Sequence, residues 1–232
     1  MKVDLHTHSY YSRDGISSPE KLIKNALKKG LDGIALTDHN TTAGWKTAIE
    51  AAKKLNAFLI LGEEIKIKRN GKTVGEILGY FLKEEINPKG KNVEEIIDEI
   101  KKQGGIAVIA HPFYWRKPFR DLEKNKNLVD GIEAFNSRSQ TRRGNKKALD
   151  FAQKNNLPMT AGSDAHSCFE VGNAYVETEA KTLNELKEAI LQKGVKIIGK
   201  QSPIFVQIFA GLGKLIHFFW QPKSTSTSTF LF

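Results

Sequence analysis

Along the first 200 residues, short runs of Val, Ile, Leu and Ala alternate with stretches whose apolar positions recur every three or four residues. Turn residues separate the two kinds of segment, a rhythm that predicts repeated βα units. Val3 to Leu5 reads as the first strand. Ser18-Pro19-Glu20 then starts a helix, with serine as cap and proline at the first helical position, and the stripe Leu22, Ile23, Ala26, Leu27 ends at Gly30. The pattern repeats with Gly33 to Leu36, a helix from about Thr42 to Leu55, and a third apolar run from Ala57 to Leu61. There the order breaks. Glu64 to Lys68 and Thr73 to Phe81 flank Asn70-Gly71, a pair suited to a tight turn with positive φ, so an inserted β-hairpin is expected. Regular units resume with Asn92 capping Val93 to Lys102, strands at Ile106 to Ala110 and Gly131 to Phe135, and a basic helix from about Thr141 to Asn155. Pro158 to Ala161, Ala174 to Val176 and Val195 to Ile198 complete the strands, with a helix from Thr182 to Gln192. About seven core strands joined mostly by helices define an α/β fold, and periodicity leaves open whether the series closes into a barrel or forms an open doubly wound sheet.

Beyond residue 200 the pattern changes. From Ile204 to Trp220, the residues Phe205, Ile208, Phe209, Leu212, Leu215, Ile216 and Phe219 are spaced by threes and fours, the stripe of an amphipathic helix. Gln207, Lys214 and His217 interrupt the run, and Gly211 and Gly213 each cost a helix about 1 kcal/mol, so a transmembrane span is not expected. The expected organisation is one domain over 1–200, an amphipathic helix over 201–222 that packs on the domain or docks on a partner or membrane surface, and a tail at 223–232. The Ser-Thr repeat from Ser224 to Thr229 has no apolar period and is expected to be disordered.

With 40% hydrophobic and 27% charged residues, the composition rules out whole-chain disorder, collagen and coiled coil. The single cysteine, Cys168, cannot form an internal disulfide, and Met1 opens onto Lys-Val-Asp-Leu without the apolar run of a secretory signal, so a cytoplasmic location is expected. The net charge is +10, of which Lys214 and Lys223 supply the only part beyond Gln201. Such an excess suits phosphates or nucleic acid, but it is spread along the chain. No Gly-x-Gly-x-x-Gly, Walker, OB, KH or RRM pattern is present, so binding of single-stranded nucleic acid has only charge behind it.

Histidine placement is more specific. Of six histidines, five stand just past a predicted strand: His6 and His8 after the first, His39 after the second, His111 after Ile106 to Ala110, and His166 after Pro158 to Ala161. Asp14, Asp38, Glu63, Glu64 and Asp164 share these addresses, and Glu76 lies in the hairpin. Singly, such a histidine reads as a structural residue. Five at equivalent strand ends ask for a common explanation, because the carboxyl ends of parallel strands in a βα protein converge on one face. Imidazole and carboxylate groups suit Zn, Mn and Fe, and several carboxylates suit more than one ion.

Leu5-His6-Thr7-His8-Ser9, Leu36-Thr37-Asp38-His39-Asn40, Gly62-Glu63-Glu64-Ile65, Ala110-His111-Pro112 and Gly162-Ser163-Asp164-Ala165-His166 resemble, in order, the motifs of the PHP (polymerase and histidinol phosphatase) superfamily. The resemblance covers roughly residues 1–200. It implies a distorted (β/α)7 barrel, TIM-like, with two or three divalent metal ions at the carboxyl ends of its strands, and phosphoester hydrolysis. The ligands it implies are His6, His8, Asp14, His39, Glu64, Glu76, His111, Asp164 and His166. Many members carry histidine where Glu76 stands, and some where Asp14 stands. The extra carboxylates favour harder ions such as Mn²⁺ or Mg²⁺, so Mn, Zn, Fe and Mg all remain candidates. The family's Gly-x-Glu spacing implies Glu64 as bridging ligand and leaves Glu63 structural.

Metals about 3.5 to 4 Å apart can share a hydroxide and hold a phosphoryl group for in-line attack, with no Ser or Cys nucleophile. Arg138, in Asn136-Ser137-Arg138, is placed to stabilise phosphoryl charge, with Asn136 beside it, and Arg13, Arg116 and Lys117 in loops on the same face, as further substrate-binding candidates. Arg142, Arg143, Lys146 and Lys147 read as a solvated helix face. The expected activity is a metal-dependent phosphoesterase acting on a nucleotide or, like a 5′-3′ exonuclease, on a 5′-phosphorylated oligonucleotide. The alternatives are a phosphatase of a small metabolite such as a sugar phosphate or histidinol phosphate, and a non-catalytic metal-stabilised accessory module. An amidohydrolase would share the barrel and histidines, but its usual bridging lysine has no evident counterpart.

Overall fold

The computed structural model describes residues 1–139 and 142–219. In chain order the elements are β1 (Lys2–Thr7), α1 (Pro19–Lys28), β2 (Gly33–Leu36), α2 (Trp45–Leu55), β3 (Phe58–Arg69), β4 (Lys72–Tyr80), α3 (Val93–Lys102), β5 (Ile106–Ile109) and α4 (Leu122–Asn125). There follow β6 (Gly131–Asn136), α5 (Arg142–Lys154), β7 (Met159–Gly162), β8 (Ala174–Glu177), α6 (Leu183–Leu191), β9 (Lys196–Gly199) and α7 (Gln207–Phe219). Local signals act as the chain pattern predicts. The Ser18 side chain accepts from Lys21 N–H at the start of α1, and Asn92 and Glu95 cap α3 reciprocally.

One sheet runs in the order β7-β6-β5-β4-β3-β2-β1-β8-β9. Its two ends come round to each other. Beyond β7, Ala165 bridges to Thr7 of β1 in parallel, and its carbonyl accepts from His8 N–H at 2.8 Å. Strands β1 to β7 therefore form a nearly closed seven-stave barrel. The approach of β7 to β1 is so close that a Cβ at Gly162 would lie 2.2 Å from His6 Cβ, which explains the glycine. Leu5, Ala35, Ile60, Leu78, Val108 and Ala161, one from each of six staves, meet in one buried cluster, which only the ring interior brings together. A second cluster lies between staves and outer helices, where Leu22, Ile23 and Ala26 of α1 meet Ile34 and Leu36. The short runs thus serve as strands buried on both faces.

Two expectations need correction. The hairpin is present, with Asn70 at φ +53° and Gly71 at +74°, but it is not an insertion. Ala57 to Leu61 and Glu64 to Lys68 are parts of one 12-residue strand, β3, and β4 pairs antiparallel with both β3 and β5 as a stave. Gly62, between the two runs, is in mid-strand and is glycine because a Cβ there would lie 2.6 Å from the Gly79 carbonyl oxygen of β4. Ala174 to Val176 and Val195 to Ile198 belong to β8 and β9, which extend the sheet antiparallel from β1 and take no part in the ring.

A short 3₁₀ turn, Ile204–Val206, precedes α7. Phe205, Ile208, Leu212, Leu215 and Phe219 of the apolar stripe are exposed, so these five do not pack on the barrel. The side chains of Phe209 and Ile216, Trp220, the start of the basic helix at Thr141 and the Ser-Thr repeat lie outside the described residues. No helix among the described residues is long and apolar enough to cross a membrane.

Candidate metal centre

At one mouth of the barrel the strand ends and loops bring nine side chains together. His6 ends the inward line of β1, and an irregular register between Asp4 and Thr7 lets β1 turn from apolar packing at Leu5 to the histidines. His6 Nε2 and His8 Nε2 lie 3.0 Å apart. Glu64 stands at the centre: its Oε2 is 3.4 Å from His6 Nε2, 3.2 Å from His8 Nε2 and 2.7 Å from His39 Nδ1, and its Oε1 is 2.9 Å from His111 Nε2. Asp164 Oδ1 lies 3.4 Å from His8 Nε2, Asp14 Oδ1 lies 3.4 Å from His166 Nε2, and Glu76 Oε2 lies 3.4 Å from His111 Nε2. His111 at φ +26° and Asp164 at +53° hold backbone conformations that non-glycine residues seldom adopt and that cost about 1–3 kcal/mol, so backbone strain is kept at the cluster.

Charge in this cluster is unbalanced. Burial works to raise the carboxyls of Glu64 and Asp164, but the surrounding histidines hold both well below the usual carboxylate range. Burial equally works against charged imidazoles. Even so, hydrogen bonds donated to Asp164 and Glu64 lift His8 to about 9, and Glu64 lifts His111 to about 9. His39 goes the other way, down to about 4, because burial outweighs Glu64 there. The four carboxylates Asp14, Glu64, Glu76 and Asp164 thus demand positive charge.

The donor set fits divalent metal ions. Asp14 Oδ1, His39 Nδ1, Glu64 Oε2 and His111 Nδ1 are buried without a hydrogen-bond partner, although His39 Nδ1 and Glu64 Oε2 face each other at 2.7 Å. Such lone pairs converging without hydrogen-bond geometry suit a shared cation. Ligand atoms lie within 4.8 Å of one another in the groups His8-His39-His166, His6-His111-Asp164, His6-His8-Glu64 and His39-Glu64-Glu76.

Around the ligands, a cavity of about 130 Å³ is lined also by Tyr114, Arg116, Lys117, Asn136, Arg138, Ala210 and Lys214. The Arg138 guanidinium is buried, and its Nη1 donates to Glu170 Oε1 at 3.0 Å. Lys117 Nζ donates to Glu76 Oε1 at 3.2 Å, and Asn136 Nδ2 donates to Asp164 Oδ2 at 3.2 Å. Arg13 is not in this cavity: it is exposed and lines an adjoining groove with Tyr11, Lys66 and Lys68. The basic run on α5 is solvent-facing at Arg143, Lys146 and Lys147.

Sequence reasoning missed one supporting carboxylate. Glu133 of β6 accepts from His6 Nδ1 at 2.8 Å through Oε1, and from His111 N–H at 2.8 Å and Asn136 Nδ2 at 3.1 Å through Oε2. The signal was a lone carboxylate between Ile132 and Ala134 in a strand buried on both faces. Asp38 accepts from Ser9 N–H and Ser9 Oγ, each at 2.7 Å, and so braces the loop after β1. Glu63 points away, as its strand position requires, with Oε2 accepting from Ile86 N–H at 3.0 Å.

A nearly closed α/β barrel with a histidine and carboxylate cluster at its mouth defines a metal-dependent hydrolase fold. Residues 4–199 match the PHP domain, and the chain belongs to that family, which makes it a hydrolase of phosphoester bonds. An uncharacterised protein of Methanocaldococcus jannaschii is 38% identical over 184 residues, covering 76% of this chain and 70% of that protein. A 5′-3′ exoribonuclease of Haemophilus influenzae is 35% identical over 114 residues, covering 44% of this chain and 41% of that one. Among solved structures, a two-domain Bacteroides vulgatus protein containing a predicted PHP-like metal-dependent phosphoesterase has a TM-score of 0.72 at 23% identity, covering 86% of this chain and 65% of that one.

Proposed function

We propose that the protein hydrolyses a phosphate ester of a nucleotide or of the 5′ end of an oligonucleotide. The observation that carries this is the position of Glu64, within 3.4 Å of four histidines, at the base of a cavity otherwise lined by Arg116, Lys117 and Arg138. In this reading His6, His8, Glu64 and Asp164 hold one ion, Glu64, Glu76 and His111 a second, and Asp14, His39 and His166 a third. Bound divalent ions lower the pKa of water and polarise phosphoryl oxygens. The chain's own groups do the rest. Glu133 keeps the His6 and His111 ligands in place, and Asn136 orients Asp164. Arg138, anchored by Glu170, presents a fixed guanidinium to the phosphoryl oxygens, a donor set matched to their geometry. The exoribonuclease relative and the net charge of +10 favour nucleic-acid phosphates.

A second reading, a small phosphorylated metabolite, is favoured by the cavity: about 130 Å³ is well under the roughly 300 to 1,000 Å³ of ordinary small-molecule pockets. Phosphate release from a mononucleotide, a 5′-phosphorylated oligomer and a sugar phosphate, measured with Mn²⁺-loaded protein, separates the two. Arg138→Ala should lower kcat/KM about 10 to 1000-fold with metal content unchanged. Unchanged kinetics would remove Arg138 from the site, and a preference for the sugar phosphate at every salt concentration would favour the metabolite.

A further inference from the structure

Helix α7 reaches the metal centre by an unexpected face. Its apolar residues Ile208, Leu212 and Leu215 are exposed, whereas Ala210, Gly213 and Lys214 face the barrel mouth. At Gly213 the helix meets the ligand loop backbone to backbone: a Cβ there would lie 2.3 Å from the Asp14 carbonyl oxygen. Just before the helix, the Val206 carbonyl accepts from Arg138 Nη2 at 3.4 Å, and Ser202 Oγ lies 2.6 Å from Ser137 Oγ. The exposed stripe residues Ile208, Leu212 and Leu215 do not explain this seat. What the contact achieves is to bring Ala210 and Lys214 into the lining of the metal cavity.

We propose that Lys214 is a phosphate-binding residue of this centre, and that α7 is a wall restricting it to substrates presenting a terminal phosphoryl group. The proposal rests on the phosphoesterase reading above. Of the four cations lining the cavity, Lys117 is paired with Glu76, Arg138 with Glu170, and Arg116 lies over the Trp115 ring at 4.7 Å. Among the described residues Lys214 forms no ion pair, so its ammonium adds charge that no carboxylate of the centre neutralises. A phosphoryl group carries the complementary charge. With α7 in place the cavity of about 130 Å³ admits such a group, while a nucleoside on each side of it, as in an internal phosphodiester, exceeds the space.

The test uses the full chain loaded with Mn²⁺. Inorganic phosphate is titrated by calorimetry into wild type, Lys214→Ala and Lys214→Arg. Lys214→Ala should weaken phosphate about 10-fold, the loss expected for one charge-assisted hydrogen bond, and Lys214→Arg should restore most of it. A linear 5′-phosphorylated oligonucleotide and its circularised form test the wall, and the wild type should leave the circle intact while releasing inorganic phosphate from the linear form without shortening it. Wild-type phosphate affinity in Lys214→Ala, or cleavage of an internal phosphodiester in either form, would overturn the proposal. If no phosphate ester is hydrolysed but phosphate binding still depends on Lys214, the phosphoesterase reading fails and this assignment stands.

Discussion

Glu133→Gln is the most informative single change, because it alters hydrogen-bond polarity at the metal centre without altering volume. The carboxylate accepts from three donors: His6 Nδ1 on Oε1, and the His111 N–H and Asn136 Nδ2 on Oε2. A glutamine has one oxygen. If that oxygen takes the Oε2 position, its amide faces His6 Nδ1, which must then become an acceptor and leave the proton on Nε2, the atom turned toward His8 and Glu64. If the amide is flipped, its N–H groups face the His111 N–H in a fully buried setting. Either arrangement costs about 1–3 kcal/mol, the penalty for an unsatisfied buried polar group, which corresponds to roughly 5 to 150-fold in metal affinity. That range overlaps the roughly 10 to 100-fold typical of changes to groups that orient metal ligands. Competitive titration of Mn²⁺ against a chromogenic chelator measures it, with circular dichroism to show that the fold persists. Wild-type affinity in a folded Glu133→Gln protein would show that His6 does not bind metal through Nε2, and the assignment of the centre would fall with it.

Metal removal and the buried Glu63 supply two further predictions. Chelation should lower the unfolding temperature of the wild type, since a ligand at 100 times its Kd stabilises the folded state by about 2.7 kcal/mol, and should have little effect on Glu64→Gln; equal melting with Mn²⁺ and with chelator would refute a metal site. Burial pushes the Glu63 carboxyl from its ordinary 4.5 up to about 8, so the folded state keeps a proton that the unfolded chain releases near pH 4.5. Its contribution to stability is therefore present below pH 4.5 and is lost as pH rises to 8, by at most about 5 kcal/mol. Glu63→Gln should gain on the wild type steadily between pH 5 and 8 in urea unfolding, and a constant difference would refute the shift.

Much of this protein is determined locally and is therefore legible in its sequence. Ser18, Asn92 and Asn70-Gly71 act through bonds and dihedral angles within a few residues, so their helix starts and turn follow from the chain alone. The histidines and carboxylates group together on the order of the strands alone, because the carboxyl ends of βα strands share one face whatever the details of closure. The choice of Glu64 over Glu63 came from the family's Gly-x-Glu spacing, and alternation along a strand then turns Glu63 to the opposite face. What only the tertiary structure decided depends on partners distant in sequence. Gly62 is in mid-strand, and the reason for a glycine there lies across the sheet at Gly79. Glu133 is a lone carboxylate between Ile132 and Ala134 in the sequence and becomes the brace of His6 and His111 only when the ring closes. At the tail, Gly213 meets the Asp14 backbone while Ile208, Leu212 and Leu215 of the stripe are exposed, since a backbone approach to Asp14 is open to glycine and closed to any residue with a Cβ. Periodicity reports how much apolar surface a segment carries, whereas the face it turns inward is set by the shape it has to meet.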